Sequence, residues 1–129
     1  MRFLGIDYGT KRIGLALSDE EGGIAFPHLV VSNDPFFLET IVALIKKEHV
    51  EGVVIGESRD FEQKENPIME AVHKLKDVLE KETQLPVYLE PEFLTSAEAR
   101  RLQGKHEKTD ASAAAIILQS YLDKRGTSH

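Results

Sequence analysis

One segment restricts the fold of this chain more than any other: Phe3-Leu4-Gly5-Ile6-Asp7-Tyr8-Gly9-Thr10-Lys11-Arg12-Ile13-Gly14-Leu15-Ala16. An apolar run leads into an aspartate and a glycine turn, and a second apolar run follows at once. Short apolar runs punctuated by glycine read as strands, most simply as an antiparallel hairpin. Side chains alternate faces along a strand, so Phe3, Gly5 and Asp7 share one face and Asp7 comes at its carboxyl end. A carboxylate where the pattern predicts burial is costly unless a metal, a cation or several donors hold it. The plainer alternative is a turn aspartate that accepts from the amides of Gly9 and Thr10. The burial predicted on both sides favours a functional role for Asp7. Gly5, Gly9 and Gly14 either permit a tight turn or let a phosphate approach closely, and spacing alone does not separate the two.

Beyond the hairpin (Phe3 to Asp7, Ile13 to Ser18), Glu20-Glu21-Gly22-Gly23 is a turn. Ile24 to Ser32 reads as a third strand, with an irregularity or an edge at Pro27. Asn33-Asp34-Pro35 is the start signal of a helix, a capping side chain followed by proline. Its stripe is Leu38, Ile41, Val42 and Ile45, and it ends near Glu48. Gly52 to Gly56 is a continuous apolar run typical of a buried parallel strand. Glu57 to Glu65 is polar and loop-like. Asn66-Pro67 starts a second helix with Ile68, Val72, Leu75 and Leu79 on its inner face. Pro86 to Glu90 is a last strand. Thr95 and Glu98 have the spacing of a capping box and open a basic helix with Arg100, Arg101 and Lys105. Thr109-Asp110 starts the terminal helix, whose buried stripe is Ala114, Ile117, Leu118 and Tyr121. These elements predict an α/β fold: a mixed five-stranded sheet, antiparallel in its first three strands and then parallel, flanked by helices. The expected organisation is one domain over residues 1–125 and a frayed tail over 126–129.

Composition narrows the function. The 129 residues suit one domain with a real core. With Lys+Arg 16 against Asp+Glu 22 the net charge is −6, so any grip on a polyanion must come from a local basic patch. The chain has no cysteine, which excludes disulfides and thiolate metal sites. The five histidines have no paired ligand spacing. No apolar stretch is long enough to span a bilayer, and the start lacks the pattern of a secretion signal. A cytoplasmic setting without membrane contact is expected.

Three acids could converge with this geometry. Ligands of such sheets gather beyond the carboxyl ends of the strands. Asp7 lies there on the first strand; Tyr88, Glu90 and Glu92 share a face on or just beyond the last; Asp110 opens the final helix. One acid from each can hold divalent cations through oxygen ligands. Two such ions about 3.5–4 Å apart activate water and stabilise a leaving oxygen in phosphodiester cleavage. Taken alone, Glu92 reads equally as a loop acid, and an acid at Asp110 more commonly serves the helix dipole. Glu57 follows a buried strand and is a further candidate ligand, though a solvated loop acid is its commoner role. The basic turn Thr10-Lys11-Arg12 and the cluster Arg100, Arg101, Lys105 and Lys108 sit beside these acids, where phosphate contact competes with plain solvation.

The opening motif, extended to Leu17-Ser18-Asp19, closely resembles the signature of the YqgF (also called RuvX) family of Holliday junction resolvases. The resemblance continues at Val53-Val54-Ile55-Gly56, at Leu94-Thr95-Ser96-Ala97-Glu98-Ala99, and from Asp110 through the alanine-rich helix to Leu122, in the same order over nearly the whole chain. It implies a ribonuclease-H-like fold and a metal-dependent nuclease. Magnesium or manganese would be held by an Asp, Glu, Asp set that falls on Asp7, Glu92 and Asp110. The implied substrates are branched DNA, as in Holliday junction resolution, and the precursor of small-subunit ribosomal RNA. Around that set the nucleic acid would meet Gly9, Thr10, Lys11, Arg12, Arg100, Arg101 and Lys105. Two positions depart from the family pattern. Its Asp-Glu-Arg becomes Pro91-Glu92-Phe93, and its Gly-Leu-Pro after the middle strand becomes Gly56-Glu57-Ser58, followed by Arg59, which can replace the lost cation.

Other classes keep their own sequence arguments. Asp-x-Gly-Thr followed by a turn also resembles the first phosphate loop of actin-like and sugar-kinase ATPases. Those proteins close a second lobe over the nucleotide, and 129 residues do not supply one. A non-catalytic nucleic-acid or ribosome-assembly module would follow if the departures at Phe93 and Glu57 abolish chemistry. A homodimer would suit the two equivalent strands of a junction.

Overall fold

The hairpin forms where the apolar runs predict it. In a computed structural model, which describes residues 1–58, 67–92 and 109–127, β1 (Arg2–Tyr8) and β2 (Arg12–Ser18) pair antiparallel from Leu4 opposite Leu17 to Tyr8 opposite Ile13. The turn between them is tight. A Cβ on Gly9 would lie 2.5 Å from the Arg12 carbonyl oxygen, so chain geometry by itself demands glycine there. β3 (Ala25–Ser32) pairs antiparallel to β2 with a register shift where Leu15 faces Leu29 and Ala16 faces Pro27. The proline thus sits at an irregularity of a strand that is last in the sheet order, the position that tolerates a missing amide donor.

Between β2 and β3 the turn is organised by Asp19. Its Oδ1 accepts from the amides of Gly23 (2.8 Å) and Ile24 (3.1 Å), and Gly22 takes the left-handed conformation, φ 71°. These amide donors, Ile24 first, hold the Asp19 carboxyl below its usual range.

Asn33-Asp34-Pro35 does not cap a helix. Asp34 instead closes a short turn, its Oδ1 accepting from the Phe36 amide at 2.8 Å. α1 (Phe37–Lys47) begins only after Phe36 and has no side-chain cap. The start signal was real but local, because Asx residues serve turns as readily as helices. β4 (Val50–Ser58) lies parallel to β1, and β5 (Val87–Glu92) lies parallel to β4. Both strands outrun their apolar cores. Glu57 and Ser58, read from sequence as loop, are strand residues because Pro91 and Glu92 pair alongside them. α2 (Pro67–Thr83) joins β4 to β5, and α3 (Thr109–Thr127) closes the chain, running two residues past the expected boundary at 125.

The sheet order is β3-β2-β1-β4-β5, antiparallel on one side of β1 and parallel on the other. Two apolar layers cover its faces. On one, Leu4, Ile6, Ile13, Leu15, Val53 and Ile55 pack with Ile41, Leu44 and Ile45 of α1 and Met69, Val72, Leu75 and Leu79 of α2. On the other, Phe3, Ala16 and Val54 pack with Ala114, Ile117, Leu118 and Leu122 of α3. α3 comes unusually near the sheet. A Cβ on Gly5 would stand 2.8 Å from Leu118 Cβ and 2.9 Å from the Ala114 carbonyl, and one on Gly56 would stand 2.5 Å from Ile117 Cδ1.

Two expectations follow. Gly5→Ala overpacks the contact under α3 and should lower unfolding free energy by about 1–3 kcal/mol in urea titration; unchanged stability would refute the close approach. For Asp19, whose folded pKa lies below its ordinary 3.8, the stabilisation is complete above the unfolded pKa and is lost as pH falls through the folded one. Asp19→Ala should therefore flatten the acid limb of the stability profile below about pH 4, with thermal melts at stepped pH as the readout.

Candidate metal and nucleic-acid site

Asp7 is the penultimate residue of β1 and pairs with Gly14 of β2. On its other side Ile6 is level with Ile55 of β4, so one further step brings Asp7 level with Gly56. Both flanking strands thus present glycine beside it. The side chain is half-buried, and by alternation it belongs with Phe3 and Gly5 to the α3 face. Of the two flanking glycines, Gly56 is covered by the Ile117 side chain of α3.

The course of α3 determines what else arrives there. Its carboxyl half lies over the start of β1: the rings of Phe3 and Tyr121 are 5.7 Å apart, and the Arg125 guanidinium stands 5.1 Å over Phe3. One step on, Gly5 meets Leu118 and Ala114. The helix therefore runs antiparallel to β1. Two strand residues from Gly5 to Asp7 advance about 6.6 Å; one helical turn from Ala114 back to Asp110 advances about 6 Å. Asp110, the second residue of α3, accordingly lies level with Asp7. Sequence pattern brought these two acids to elements; the antiparallel crossing brings the elements together.

Glu92 is the last residue of β5 and pairs with Ser58. It occupies the register position two beyond Glu90, which faces α3. Glu90 is a group whose structural role the sequence reading missed. Its side chain is only 4% exposed, Ser120 Oγ donates to its Oε2 at 3.3 Å, and Lys124 Nζ donates to the same oxygen. A charged residue amid an apolar strand was the available signal, but its partner lies 34 residues away. Glu57 goes elsewhere. Val54 and Gly56 meet α3, so the pleat turns Glu57 with Val53 and Ile55 toward the α1 and α2 face, away from Asp7.

Thr10, Lys11 and Arg12 are exposed at the same end of β1 as Asp7. Their turn is pinned from behind. Asn33 Nδ2 donates to the Gly9 carbonyl at 2.8 Å, and the Asn33 amide donates to the Lys11 carbonyl at 2.9 Å. Asn33 is thus a supporting residue of this loop rather than a helix cap, a role that no local pattern announces. Arg59, Arg100, Arg101 and Lys105 lie outside the described residues. Among the described residues no three Asp, Glu or His side chains form a cluster, and backbone position alone brings Asp110 level with Asp7. No described helix is long and apolar enough to cross a membrane.

Comparison with known proteins gives a consistent set of matches. The family model RuvX, Holliday junction resolvase, matches residues 1–124. A protein of Nitratidesulfovibrio vulgaris named "Putative pre-16S rRNA nuclease" is 38% identical over 134 residues, covering 95% of this chain and 94% of its own. A relative of the same name from Limosilactobacillus reuteri is 34% identical, covering 98% and 95%. Among solved structures, the RuvC of Thermus thermophilus in complex with a Holliday junction substrate superposes with a TM-score of 0.67 at 20% identity, over 99% of this chain and 98% of that one. The fowlpox virus Holliday junction resolvase gives a TM-score of 0.58 at 13% identity, over 96% and 99%. At such identities these structures establish a shared fold, that of the RuvC-like ribonuclease-H-type resolvases.

Asn33→Ala removes the side-chain bond to Gly9 and should cost about 1 kcal/mol of stability. Hydrogen exchange should quicken at the amides of residues 9–12. Exchange unaltered there would show that the bond does not hold the loop.

Proposed function

Because this chain belongs to the RuvX family of Holliday junction resolvases, we propose that it is a divalent-metal-dependent endonuclease for structured nucleic acid, cutting a Holliday junction or the precursor of small-subunit ribosomal RNA. The observation that carries this reading is the antiparallel crossing of α3 over β1, which sets Asp110 level with Asp7 at the carboxyl end of the central strand. Glu92 completes the set from the end of β5. Carboxylate oxygens suit Mg²⁺ or Mn²⁺. Glu57, on the other face of the sheet, is not part of the set.

When bound, the ions supply an activated water and neutralise the oxygen that leaves phosphorus. The chain's own residues do the rest. Asp7 and Asp110 come from a strand end and a helix start, two elements fixed against each other by the apolar layer between them. Thr10, Lys11 and Arg12 project from the adjoining turn, where Asn33 holds the backbone, and contact phosphates along the strand to be cut. Gly9 shapes that turn. Arg59, Arg100, Arg101 and Lys105 extend the cationic surface, which an acidic chain must concentrate locally. One domain, residues 1–125, carries the whole site. Two copies related by a two-fold axis would meet the two equivalent strands of a junction, and the substrate implies a cytoplasmic setting.

The test is a Mg²⁺ and Mn²⁺ titration of purified protein against a labelled four-way junction and a precursor ribosomal RNA fragment. Cleavage should require the metal. Asp7→Asn should reduce it more than about 100-fold, beyond the usual effect of removing a residue that merely supports a ligand, with circular dichroism unchanged. Undiminished cleavage by Asp7→Asn overturns the assignment.

A further inference from the structure

A second surface is built on the outer edge of the sheet. A groove of about 650 Å³ lies along the edge strand β5, lined by Lys76, Tyr88, Glu90, Tyr121, Lys124 and Arg125 together with Val87 and Leu89. Its chemistry differs from that of the chain as a whole. In a protein of net charge −6, three cationic side chains meet here, Lys76 in an i,i+4 pair with Glu80 at 3.0 Å and Lys124 paired with Glu90. The single carboxylate of the lining, Glu90, is buried and already neutralised by Lys124.

The groove also holds the one stacked aromatic pair among the described residues. The rings of Tyr88 and Tyr121 lie 5.0 Å apart and 25° from parallel. Tyr88 is 38% exposed, whereas Tyr121 is held against Phe3 beneath it. An exposed ring backed by a fixed one is a rigid platform. Burial and the neighbouring Tyr88 push the Tyr121 hydroxyl above its ordinary pKa.

Resting on the nuclease reading above, we propose that this groove binds an unpaired single-stranded segment of the nucleic acid, one base stacking on Tyr88 and the adjoining phosphates meeting Arg125 and Lys76. Stacking on an open ring needs a base whose face is free, which selects single strands over duplex. It is indifferent to base identity, so the groove adds affinity without sequence preference. Position suits a flank of the cleavage site. Tyr88 precedes Glu92 by four residues on the same strand, about 13 Å. That distance corresponds to roughly four steps of a stacked strand at about 3.4 Å each.

The probe is a fluorescein-labelled oligouridylate of about a dozen nucleotides, with binding read by fluorescence anisotropy over a range of salt. Tyr88→Val, chosen because valine suits a strand, should weaken binding about tenfold. Arg125→Gln and Lys76→Gln, both on helices, should each flatten the dependence of log K on log salt by about 0.7. Oligoadenylate should bind comparably. On a junction without single-stranded ends all three variants should cleave as the wild type does. Unlabelled polyglutamate of equal charge should displace the probe far less well than unlabelled oligouridylate.

Binding of the probe that none of the substitutions alters, no binding by the wild type, or equal displacement by polyglutamate would each overturn the proposal. Junction cleavage retained beside any of these outcomes leaves the nuclease reading standing. Conversely, absent cleavage with probe binding that falls in the variants would refute the nuclease reading and keep the groove.

Discussion

The close approach of α3 to the sheet is the contact on which the rest of this structure depends. It exists because Gly5 and Gly56 carry no side chains where Ala114, Ile117 and Leu118 descend. Interiors are packed as densely as crystals, so a helix that sits this low has one lateral position and one direction. Both consequences bear on function. The direction puts the start of the helix at the carboxyl end of β1, and the depth sets Asp110 level with Asp7.

Polar contacts fix the same helix at both margins of the sheet. On the β3 side Gln119 accepts from the Ala25 amide at 2.9 Å and donates to the Gly23 carbonyl at 3.0 Å. On the β5 side Ser120 and Lys124 hold the buried carboxylate of Glu90. An apolar layer alone is tolerant of sliding; buried polar groups are not, because each lost partner leaves a desolvated atom. Gln119 and Ser120 are adjacent in sequence yet serve opposite edges, which ties α3 across the full width of the sheet. Bonds of this kind fix elements that are far apart in the chain against one another.

Charge is arranged with similar economy. The chain is acidic overall, and its carboxylates are either spread over the surface or engaged, like Asp19 with the amides of Gly23 and Ile24. Among the described cations, Lys11 and Arg12 share the turn beside Asp7, and Lys76, Lys124 and Arg125 line the groove beside Glu90. In an acidic chain, local groups of cations of this kind orient a polyanion more than they add to its affinity.

Much of this was legible in the residues. The hairpin, the mixed five-stranded sheet, the stripes of α1 and α2, and Asp7 as the acid in need of explanation all follow from periods of two and 3.6 and from glycine turns. So do the apolar residues of the last helix, Ala114, Ile117 and Leu118, which are buried as the stripe predicts. The errors share one cause. Asn33 and Asp34 carry a real capping signal, yet Asn33 bonds Gly9 and Lys11 across the sheet, a use that depends on a strand 24 residues earlier. Glu57 reads as loop because polar residues begin there, and it becomes strand because β5 pairs beside it. Periodicity tells each residue whether it is inside or outside, since that depends on neighbours along the chain. Which face of the sheet a residue takes, and which distant acid it meets there, depends on strand order and on how deep α3 sits, and only the assembled packing decides those.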